Sequence, residues 1–581
     1  MTGREALKTY FGYDDFRPLQ AEIVQSVLDG RDTLALMPTG GGKSLCFQVP
    51  TMAMKGLCLV ITPLIALMKD QVENLRQRNI RAAAIYTGMS YEQQKTALDN
   101  CMWGPYHFLY VSPERLESEE FRERLARLPI CLIAVDEAHC ISQWGYDFRP
   151  SYLKIAEIRN LVGERRRGVE ARGREVPILA LTATATPEVV NDIQERLAFR
   201  EKNVLRKSFA RKNISYIVRE SNKKSDEIVH ILNKVPGSAI VYVRNRQRAQ
   251  ELAAYLQEKG ISADFYHAGL SSKERSAKQE EWKAFGVESR KSNVESQRTR
   301  VIVATNAFGM GIDKPDVRVV IHHDLPDTIE AYFQEAGRAG RDEQKAFAVL
   351  LYDPSDKTKA RKRIADNYPD EETLHNVYHK TCNYLGVGAD SGQGATFFID
   401  MFDLCKKMHL PVFPTYSALH LLSQMGYFSF DEEQEIQPRV RLRVTRRELE
   451  EYRLSREENS LVEHLMREYT GIFTELQYVH KLDDRHQELV ALAQKRIIDY
   501  VPRTKANVLR LSVNRQAEIR IPQEFYKQRK NHYANKLKAM VEYAENKHYC
   551  RSQVMLAYFG ENDAPVCGTC DICRAALNTK H

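Results

Sequence analysis

The chain has 581 residues and is 43% hydrophobic and 28% charged, which is ordinary for a soluble globular protein of roughly four domains. It has no apolar run long enough for a transmembrane helix, and its N-terminus has no apolar signal-peptide core, so we expect neither a membrane span nor secretion. The formal net charge of +8 favours a polyanionic partner.

Two segments alternate short apolar strands with amphipathic stretches. Alternation of this kind predicts parallel sheets with helices on both faces and ligands beyond the carboxyl ends of the strands. Strands are predicted at 32–38, 57–63, 107–113, 131–139 and 177–184, and then at 238–244, 263–269, 300–309 and 317–324. We therefore predict two related α/β lobes, at 1–207 and 208–356, with a polar loop at 286–300 in the second.

The alternation stops after Asp356. The pattern predicts a helix at 372–385, a second helix capped by Thr415 and ended by Gly426, and a hairpin over 427–445 with an acidic turn. This order favours a winged-helix module, and a helical insert with a surface hairpin explains it equally well. Segments 461–482 and 489–503 suggest a further small α/β piece, and we assign the whole insertion to 357–525.

The segment LMPTGGGKSLCF follows a predicted strand and opens a predicted helix, the context of a phosphate-binding loop. Lys43 would reach the β- and γ-phosphates of ATP, and Ser44 would hold Mg²⁺. The strict pattern has glycine where this chain has Met37, so a plain glycine turn is the alternative. The loop residues predicted to meet phosphate are Thr39, Gly40, Gly41 and Gly42.

Two further motifs suit ATP hydrolysis. The apolar strand LIAVDEAH ends in Asp136, placed to bind Mg²⁺, and Glu137, placed to orient and deprotonate the attacking water. In QEAGRAGRD, Arg338 and Arg341 would point the same way if they lie on a helix. Two arginines from the second lobe that face a phosphate loop on the first suit arginine-finger chemistry, and a surface salt-bridge pair is the alternative.

Aromatic residues follow the acidic pair in the run DEAHCISQWGYDFRP. Trp144, Tyr146 and Phe148 alternate along it, with Arg149 beside the last. ATP chemistry does not require aromatic side chains there. They either form the buried side of a strand or stack on bases while Arg149 pairs with phosphate.

Four of the eleven cysteines lie near the C-terminus at a spacing typical of zinc ligands. They are Cys550, Cys567, Cys570 and Cys573, within a segment that we assign to 526–581. Four thiolates predict a structural Zn²⁺ site, with free buried thiols as the alternative and His548 ranked below the cysteines as a ligand. The preceding helix would bury the stripe Leu537, Met540, Val541 and Ala544. The scattered remaining cysteines fit a reducing compartment rather than a disulfide framework.

Taken in order, these motifs resemble those of the RecQ family of superfamily 2 DNA helicases, over most of 1–356 and over 530–575. The segments FGYDDFRPLQ, TPLIALMKDQ, LALTATAT and VIVATNAFGMGIDKPDVR extend the resemblance. It implies an ATP-driven 3′→5′ helicase of recombination and repair that acts on single-stranded and forked or duplex DNA. The implied setting is the cytoplasm at a bacterial-type nucleoid, with single-stranded-DNA-binding protein and other repair proteins as candidate partners.

The resemblance also implies roles for individual residues. Gln20 would read the adenine edge, with Tyr13 stacking on the base and Arg17 nearby. The loop after DEAH would link DNA binding to hydrolysis. Residues implied to couple ATP to DNA or to lobe movement are Thr182, Thr184, Thr305 and Asp313.

The chain departs from the family pattern after the lobes. Well-known members place the zinc module directly after the lobes and a winged helix after that, whereas here the insertion 357–525 separates lobes and module. Arginines on one side of the predicted hairpin would wedge the duplex or hold its backbone: Arg439, Arg441 and Arg443. An RNA helicase and a zinc scaffold with an inactive ATPase are the competing hypotheses.

Overall fold

The chain divides into two units, Met1–Ala360 with Asn531–His581, and Arg361–Lys530. The computed structural model describes residues 1–38, 40–86, 89, 91–142, 148–167, 176–286, 298–309, 314–436, 438–469, 471–474, 477–479, 485–501 and 504–578. Within these ranges no helix is both long and apolar enough to cross a membrane.

The first lobe of the first unit is built on a parallel sheet. Its strands are β1 (Thr33–Leu36), β2 (Leu57–Ile61), β3 (Ala82–Ile85), β4 (Phe108–Val111), β5 (Ile130–Val135), β6 (Ile178–Thr182) and β7 (Val204–Arg206). Its helices are α1 (Gly3–Ala6), α2 (Gln20–Leu28), α3 (Leu45–Met54), α4 (Ile65–Gln77), α5 (Tyr91–Trp103), α6 (Glu119–Leu125), α7 (Ile155–Arg167) and α8 (Pro187–Arg196). The described strands run in the order β3-β4-β2-β5-β6-β1-β7. All five predicted strands are present, and β3 and β7 are additional.

The second lobe has its own parallel sheet. Its strands are β8 (Ile214–Glu220), β9 (Ser238–Tyr242), β10 (Ala263–Tyr266), β11 (Val301–Ala304), β12 (Val317–His322) and β13 (Ala346–Tyr352). Its helices are α9 (Lys224–Lys234), α10 (Arg246–Glu258), α11 (Ser272–Ala284) and α12 (Ile329–Ala336). The described strands run in the order β10-β11-β9-β12-β13-β8, with β8 and β13 beyond the four predicted strands. Most of the predicted polar loop, 287–297, lies outside the described residues.

The second unit contains two small antiparallel sheets. Between α13 (Ser355–Asn367) and α19 (Gln523–Glu545), its elements are α14 (Glu371–Tyr384), β14 (Thr396–Ile399), α15 (Met401–Met408), α16 (Val412–Gln424), β15 (Phe428–Ile436), β16 (Arg439–Leu442), α17 (Arg456–Glu468), β17 (Gln477–Tyr478), α18 (His486–Gln494), β18 (Ile498–Val501) and β19 (Thr504–Leu511). Their described strands run in the orders β14-β19-β15 and β17-β16-β18.

The predicted hairpin is wrong. Strand β15 pairs with β19, so that Ile436 lies opposite Thr504, and β16 pairs with β17 and β18 in the other sheet. The elements β16 to β18 lie between β15 and β19 in the chain, and the predicted winged-helix module stays a prediction. The sequence pattern misled because β15 and β16 are neighbours in the chain while the true partner of β15 is remote.

The predicted cap of α16 is also wrong. The helix begins at Val412, one turn earlier than expected, and Thr415 lies buried inside it. The Thr415 hydroxyl donates to the Pro411 carbonyl at 2.6 Å, a bond that a threonine inside a helix commonly makes. Gly426 follows the helix end with a φ of +85°, as the prediction required.

The C-terminal part of the first unit packs on the second lobe. It comprises the end of α19, then α20 (Arg551–Tyr558) and α21 (Asp571–Asn578). The Phe559 ring lies 5.1 Å from the ring of Phe333 in α12 and 5.1 Å from that of Phe209 in the linker between lobes. The predicted stripe of α19 is buried: Leu537, Met540, Val541 and Ala544.

A buried carboxylate ties the first lobe together. Asp32, directly before β1, accepts hydrogen bonds from the Ile178 amide and from Nη2 of Arg159 at 2.9 to 3.0 Å. Arg200 adds bonds from its backbone amide and Nε, both at 3.0 Å. Burial alone would raise the pKa of Asp32, but the bonds from Arg200 and Ile178 and the charge of Arg159 lower it below its ordinary value.

We expect Asp32→Asn to destabilise the first lobe by about 3–5 kcal/mol, because it leaves the buried Arg159 without a counter-charge. Since the folded-state pKa of Asp32 is lowered, its contribution is complete above its unfolded pKa of about 3.9 and is lost as pH falls through the folded value. Hydrogen exchange of the β1 and β6 amides from pH 7 downwards measures both effects. Glu195→Gln, in an exposed ion pair with Lys202, is the control and should change little. Equal protection in the two variants would contradict the prediction.

Candidate nucleotide and zinc sites

The glycine loop follows β1 and leads into α3. Gly40 and Gly42 have φ angles of +79° and +76°, which glycine adopts without strain. A Cβ on Gly42 would also lie 2.4 Å from Nε2 of Gln20. Both the backbone conformation at Gly42 and its close contact with Gln20 therefore require glycine. Thr39 lies outside the described residues. The loop thus has the backbone of a phosphate cradle at a helix N-terminus.

Gln20 and Arg17 hold this loop in place. Nε2 of Gln20 donates to the Gly42 carbonyl at 3.0 Å, and Oε1 of Gln20 accepts from the Arg17 amide at 2.9 Å. Nη1 of Arg17 donates to the Gly40 carbonyl at 3.1 Å. In this state Gln20, which is 1% exposed, binds the protein backbone, so the adenine contact implied by the family resemblance stays a prediction.

The acidic pair ends β5, beside β6 and β2 in the sheet. Glu137 adopts a left-handed backbone with a φ of +47°, which is uncommon for a residue with a side chain and is typical of functional sites. One Glu137 carboxylate oxygen lies 3.9 Å from Nζ of Lys43. The Thr62 hydroxyl, at the end of β2, donates to Asp136 at 3.4 Å.

The acidic pair is suited to a divalent cation. Burial and the adjacent Glu137 carboxylate raise the pKa of Asp136 to about 6, although Lys43 opposes the change. Ser44, Thr62 and Asp136 line one cavity and present the hard oxygen donors that Mg²⁺ prefers. A bound Mg²⁺ would relieve the repulsion between the two carboxylates, so the donor set fits this metal.

A polar chain leads from Glu137 to the end of β6. Nδ1 of His139 lies 3.4 Å from Oε2 of Glu137 and 2.9 Å from the Thr182 hydroxyl. Thr182 also bonds the backbone of Thr184. The two predicted coupling residues of this segment are therefore buried and connected to the acidic pair.

Both predicted arginines reach the same cavity, although the helical reasoning behind them was wrong. Helix α12 ends at Ala336, and Arg338 and Arg341 lie on the turns that follow it. They line a cavity of about 330 Å³ together with Lys43, Asp136 and Glu137. The Arg341 side chain would lie 3.6 Å from a Cβ on Gly40. Elements of both lobes therefore enclose one nucleotide-sized space.

A second cavity of about 530 Å³ adjoins the first and contains Tyr13. Ser44 and Gln71 line both cavities, and Arg78 lies on the wall of the second. The Tyr13 side chain is 49% exposed, so its ring is available for stacking on a base. The phosphate end and the aromatic end of the predicted ATP site are thus contiguous.

Sequence reasoning missed three residues of this region: Thr62, His139 and Gln334. Each lies within a motif that was quoted, and Gln334 lines the cavity four residues before Arg338. A polar residue at the carboxyl end of a buried parallel strand is the signal that would have identified Thr62.

The predicted DNA-coupling residues are only partly described. Asp313, Trp144 and Tyr146 lie outside the described residues. Phe148 is half-buried, and Nη1 of Arg149 lies 3.2 Å from Oε1 of Glu114 in an ion pair, so a DNA phosphate would compete with that carboxylate. Thr305 follows β11, and its amide donates to the Tyr266 carbonyl at 3.2 Å.

The three arginines of the insertion do not line a hairpin. Arg441 and Arg443 both pair with Asp499, with Nε of Arg443 at 3.5 Å. The Arg439 guanidinium lies 5.1 Å from the centroid of the Phe398 ring. Because β15 and β16 lie in different sheets, the arginines do not lie on the predicted hairpin, and their contact with duplex DNA stays a prediction.

The four C-terminal cysteines form one cluster. Their sulfur atoms all lie within 4.8 Å of one another, and the residues are Cys550, Cys567, Cys570 and Cys573. Tetrahedral zinc with bonds of about 2.3 Å would place its sulfur ligands about 3.8 Å apart, so the cluster fits. Backbone amides of Cys567, Cys570 and Cys573 donate to these sulfurs at 3.3 to 3.4 Å, which stabilises thiolates. His548 is exposed and not part of the cluster.

We expect the chain to carry one zinc ion and Cys567→Ser to lose most of it, because a structural site depends on all four thiolates. Atomic emission on the purified chain measures the metal content. Cys101→Ser, a buried cysteine of the first lobe, is the control and should retain the metal. Equal zinc in both variants would exclude the cluster as the site.

Comparison with known proteins agrees with this geometry. Three families match: DEAD/DEAH box helicase at 17–193, helicase conserved C-terminal domain at 223–343, and RecQ zinc-binding at 512–574. The chain is 41% identical over 356 residues to the ATP-dependent DNA helicase RecQ of Haemophilus influenzae, covering 61% of this chain and 54% of that one.

The chain is also similar to two further proteins. A solved structure of the DUF1998 helicase MrfA bound to DNA is similar over 62% of this chain and 52% of its own, with 19% identity and a TM-score of 0.49. The chain is also 40% identical over 358 residues to the probable ATP-dependent DNA helicase RecS of Bacillus subtilis, covering 61% of this chain and 67% of that one. By its sequence, its two lobes and its zinc module, the chain belongs to the RecQ family.

Proposed function

We propose that this chain is an ATP-dependent DNA helicase that translocates 3′→5′ on single-stranded DNA and unwinds duplexes during recombination and repair. The observation that carries the proposal is the single cavity lined by the phosphate loop of the first lobe and by Arg338 and Arg341 of the second. Curated relatives named as DNA helicases support the substrate, although the chain spans only 54% of the first of them.

The residues of the cavity have different roles in the proposed hydrolysis. Lys43 and the loop amides bind the phosphates, and Glu137 orients the attacking water and accepts its proton. Arg338 and Arg341 stabilise the charge that develops on the transferred phosphoryl group, a role that contributes about 10³–10⁵ in rate in other NTPases. Because these arginines come from the second lobe, hydrolysis depends on how the two lobes meet.

Asp136 and Ser44 would hold Mg²⁺ at this site. When bound, the ion would neutralise phosphate charge during transfer. Asp136 itself is held by the Thr62 hydroxyl, and Tyr152 donates to its backbone carbonyl at 3.0 Å. These bonds fix the carboxylate at the strand end before the nucleotide arrives.

The path from Glu137 through His139 to Thr182 is the proposed route from chemistry to motion. A change in the charge or position of Glu137 alters its contact with His139, which in turn contacts Thr182 at the end of β6. Thr182 and Thr184 belong to the segment that the family resemblance assigns to lobe movement. The buried Thr184 hydroxyl has no hydrogen-bond partner among the described residues, so it is available to a second arrangement.

The proposal predicts ATP-dependent unwinding of 3′-tailed and forked DNA duplexes but not of 5′-tailed ones. Glu137→Gln should abolish unwinding and hydrolysis while ATP still binds, because the water loses its base. A strand-displacement assay on the three DNA substrates and on an RNA duplex of the same sequence measures this. Glu119→Gln on the exposed face of α6 is the control. Unwinding of RNA alone would favour an RNA helicase, and full unwinding by Glu137→Gln would overturn the proposal.

The aromatic run after DEAH is proposed to couple DNA binding to hydrolysis. We expect Trp144→Ala to reduce the stimulation of ATP hydrolysis by single-stranded DNA far more than it reduces hydrolysis without DNA, because a base loses its stacking partner. Steady-state ATPase rates with and without DNA measure the ratio. Trp103→Ala removes an 86% exposed indole from α5 of the same lobe and is the control. If single-stranded DNA stimulates ATP hydrolysis normally in Trp144→Ala, the aromatic residues after DEAH have a structural role instead.

A further inference from the structure

The linker between the lobes, residues 207–213, reaches the turn that carries the two arginines. Arg211 donates from Nη1 to the Gly337 carbonyl at 3.1 Å. Its Nη2 donates to the carbonyls of Ala339 at 3.1 Å and Gly340 at 3.0 Å. One guanidinium therefore binds three carbonyls of a four-residue stretch that lies far from it in sequence.

These three carbonyls fix the orientation of the arginines. The Gly337 carbonyl belongs to the peptide plane that enters Arg338, and the Gly340 carbonyl belongs to the plane that enters Arg341. Holding both planes sets the direction in which each Cα projects its side chain. Only the planar, forked guanidinium offers several donors in such a fixed geometry, since lysine presents a single point charge on a flexible stem.

A neighbouring linker residue supports the same turn. Nδ2 of Asn213 donates to the Gly340 carbonyl at 2.7 Å and to the Gln344 carbonyl at 2.9 Å. Gly340 has a φ of +55°, and a Cβ there would lie 2.5 Å from Nδ2 of Asn213. The turn therefore needs glycine at this position, because the linker approaches its backbone so closely.

The C-terminal module is itself hydrogen-bonded to the linker. Oε2 of Glu561 accepts from the Ser208 hydroxyl at 2.7 Å, and Oε1 accepts from the Phe209 amide at 2.8 Å. The Phe209 ring is 1% exposed between Phe333 and Phe559. Arg211 thus extends from a segment that is anchored on the side of the zinc module.

We infer that Arg211 is a positioning residue for ATP hydrolysis, which sets Arg338 and Arg341 against the phosphate loop without touching the nucleotide itself. This inference rests on the proposed function. The linker would then have two roles. It joins the lobes, and it also orients Arg338 and Arg341 of the second lobe toward the phosphate loop of the first. Displacing a catalytic group by about 1 Å is enough to lower a rate about 10²-fold.

The test uses the full chain with Arg211→Lys and Arg211→Ala. Both should lower kcat for DNA-stimulated ATP hydrolysis by about 10- to 100-fold while KM for ATP changes far less, because the phosphate loop is intact. Lysine should not rescue, since it cannot span the three carbonyls. The controls are Arg219→Lys and Arg219→Ala in β8, whose guanidinium pairs with Glu227 on the surface; their kcat should stay near that of the parent chain.

Hydrogen exchange supplies a readout that needs no activity. Amides of the turn are bonded to backbone carbonyls, among them Gly337 to Phe333 and Gly340 to Val317. Exchange at 337–341 should rise in both Arg211 variants and not in the Arg219 variants, at equal thermal unfolding midpoints. Unchanged exchange would overturn the contact, and raised exchange with normal kcat would overturn its role in hydrolysis. A parent chain without ATPase activity would overturn the proposed function itself, whatever the exchange shows.

Discussion

The convergence of strand ends at one edge of the first sheet is the constraint on which the rest of this molecule depends. Strands β1, β6 and β5 are neighbours and parallel, so the loops that follow them meet. That register places Lys43 within 3.9 Å of Glu137, although many helices and strands separate them in the chain. Two adjacent carboxylates away from water are unfavourable alone, and Lys43 and the Thr62 hydroxyl offset part of that cost.

Two arginines of the second lobe, Arg338 and Arg341, line the same cavity. They lie on turns after α12, so the positions of their side chains depend on the conformation of the turn backbone and not on a helix. Arg338 is 6% exposed and donates to the Gly309 carbonyl, so its direction is fixed inside the second lobe. The turn that carries it is bonded to the interlobe linker through Arg211 and Asn213. If the lobes move as the proposed function requires, a linker in this place would move with the arginines, so that domain motion and assembly of the site would be a single event.

Apolar runs and motif order were sufficient to predict two parallel sheets, although not every strand in them, and also the glycine loop, the acidic pair at a strand end and the cysteine cluster, because each of these depends on local pattern. Strand β3, with three alanines in four residues, and the three-residue β7 carry too little local signal to be recognised. The pairing of β15 with β19 and the contact of Arg211 with Gly337 depend on residues far apart in the chain. No periodicity reports such contacts, so the false hairpin and the missed positioning residue have the same origin.

The contact between Glu561 and the linker has a consequence that works in both directions. Coupling between two binding sites is a free energy shared by both, so a linker conformation that favours nucleotide binding and is stabilised by the zinc module would stabilise that module equally in return. Nucleotide binding that closes the lobes would then strengthen metal retention, and loss of metal would weaken nucleotide binding by the same factor. In that case the tetrathiolate cluster would be a thermodynamic partner of the proposed ATP site, with the linker residues Ser208 and Phe209, both bonded to Glu561, as the connection between them.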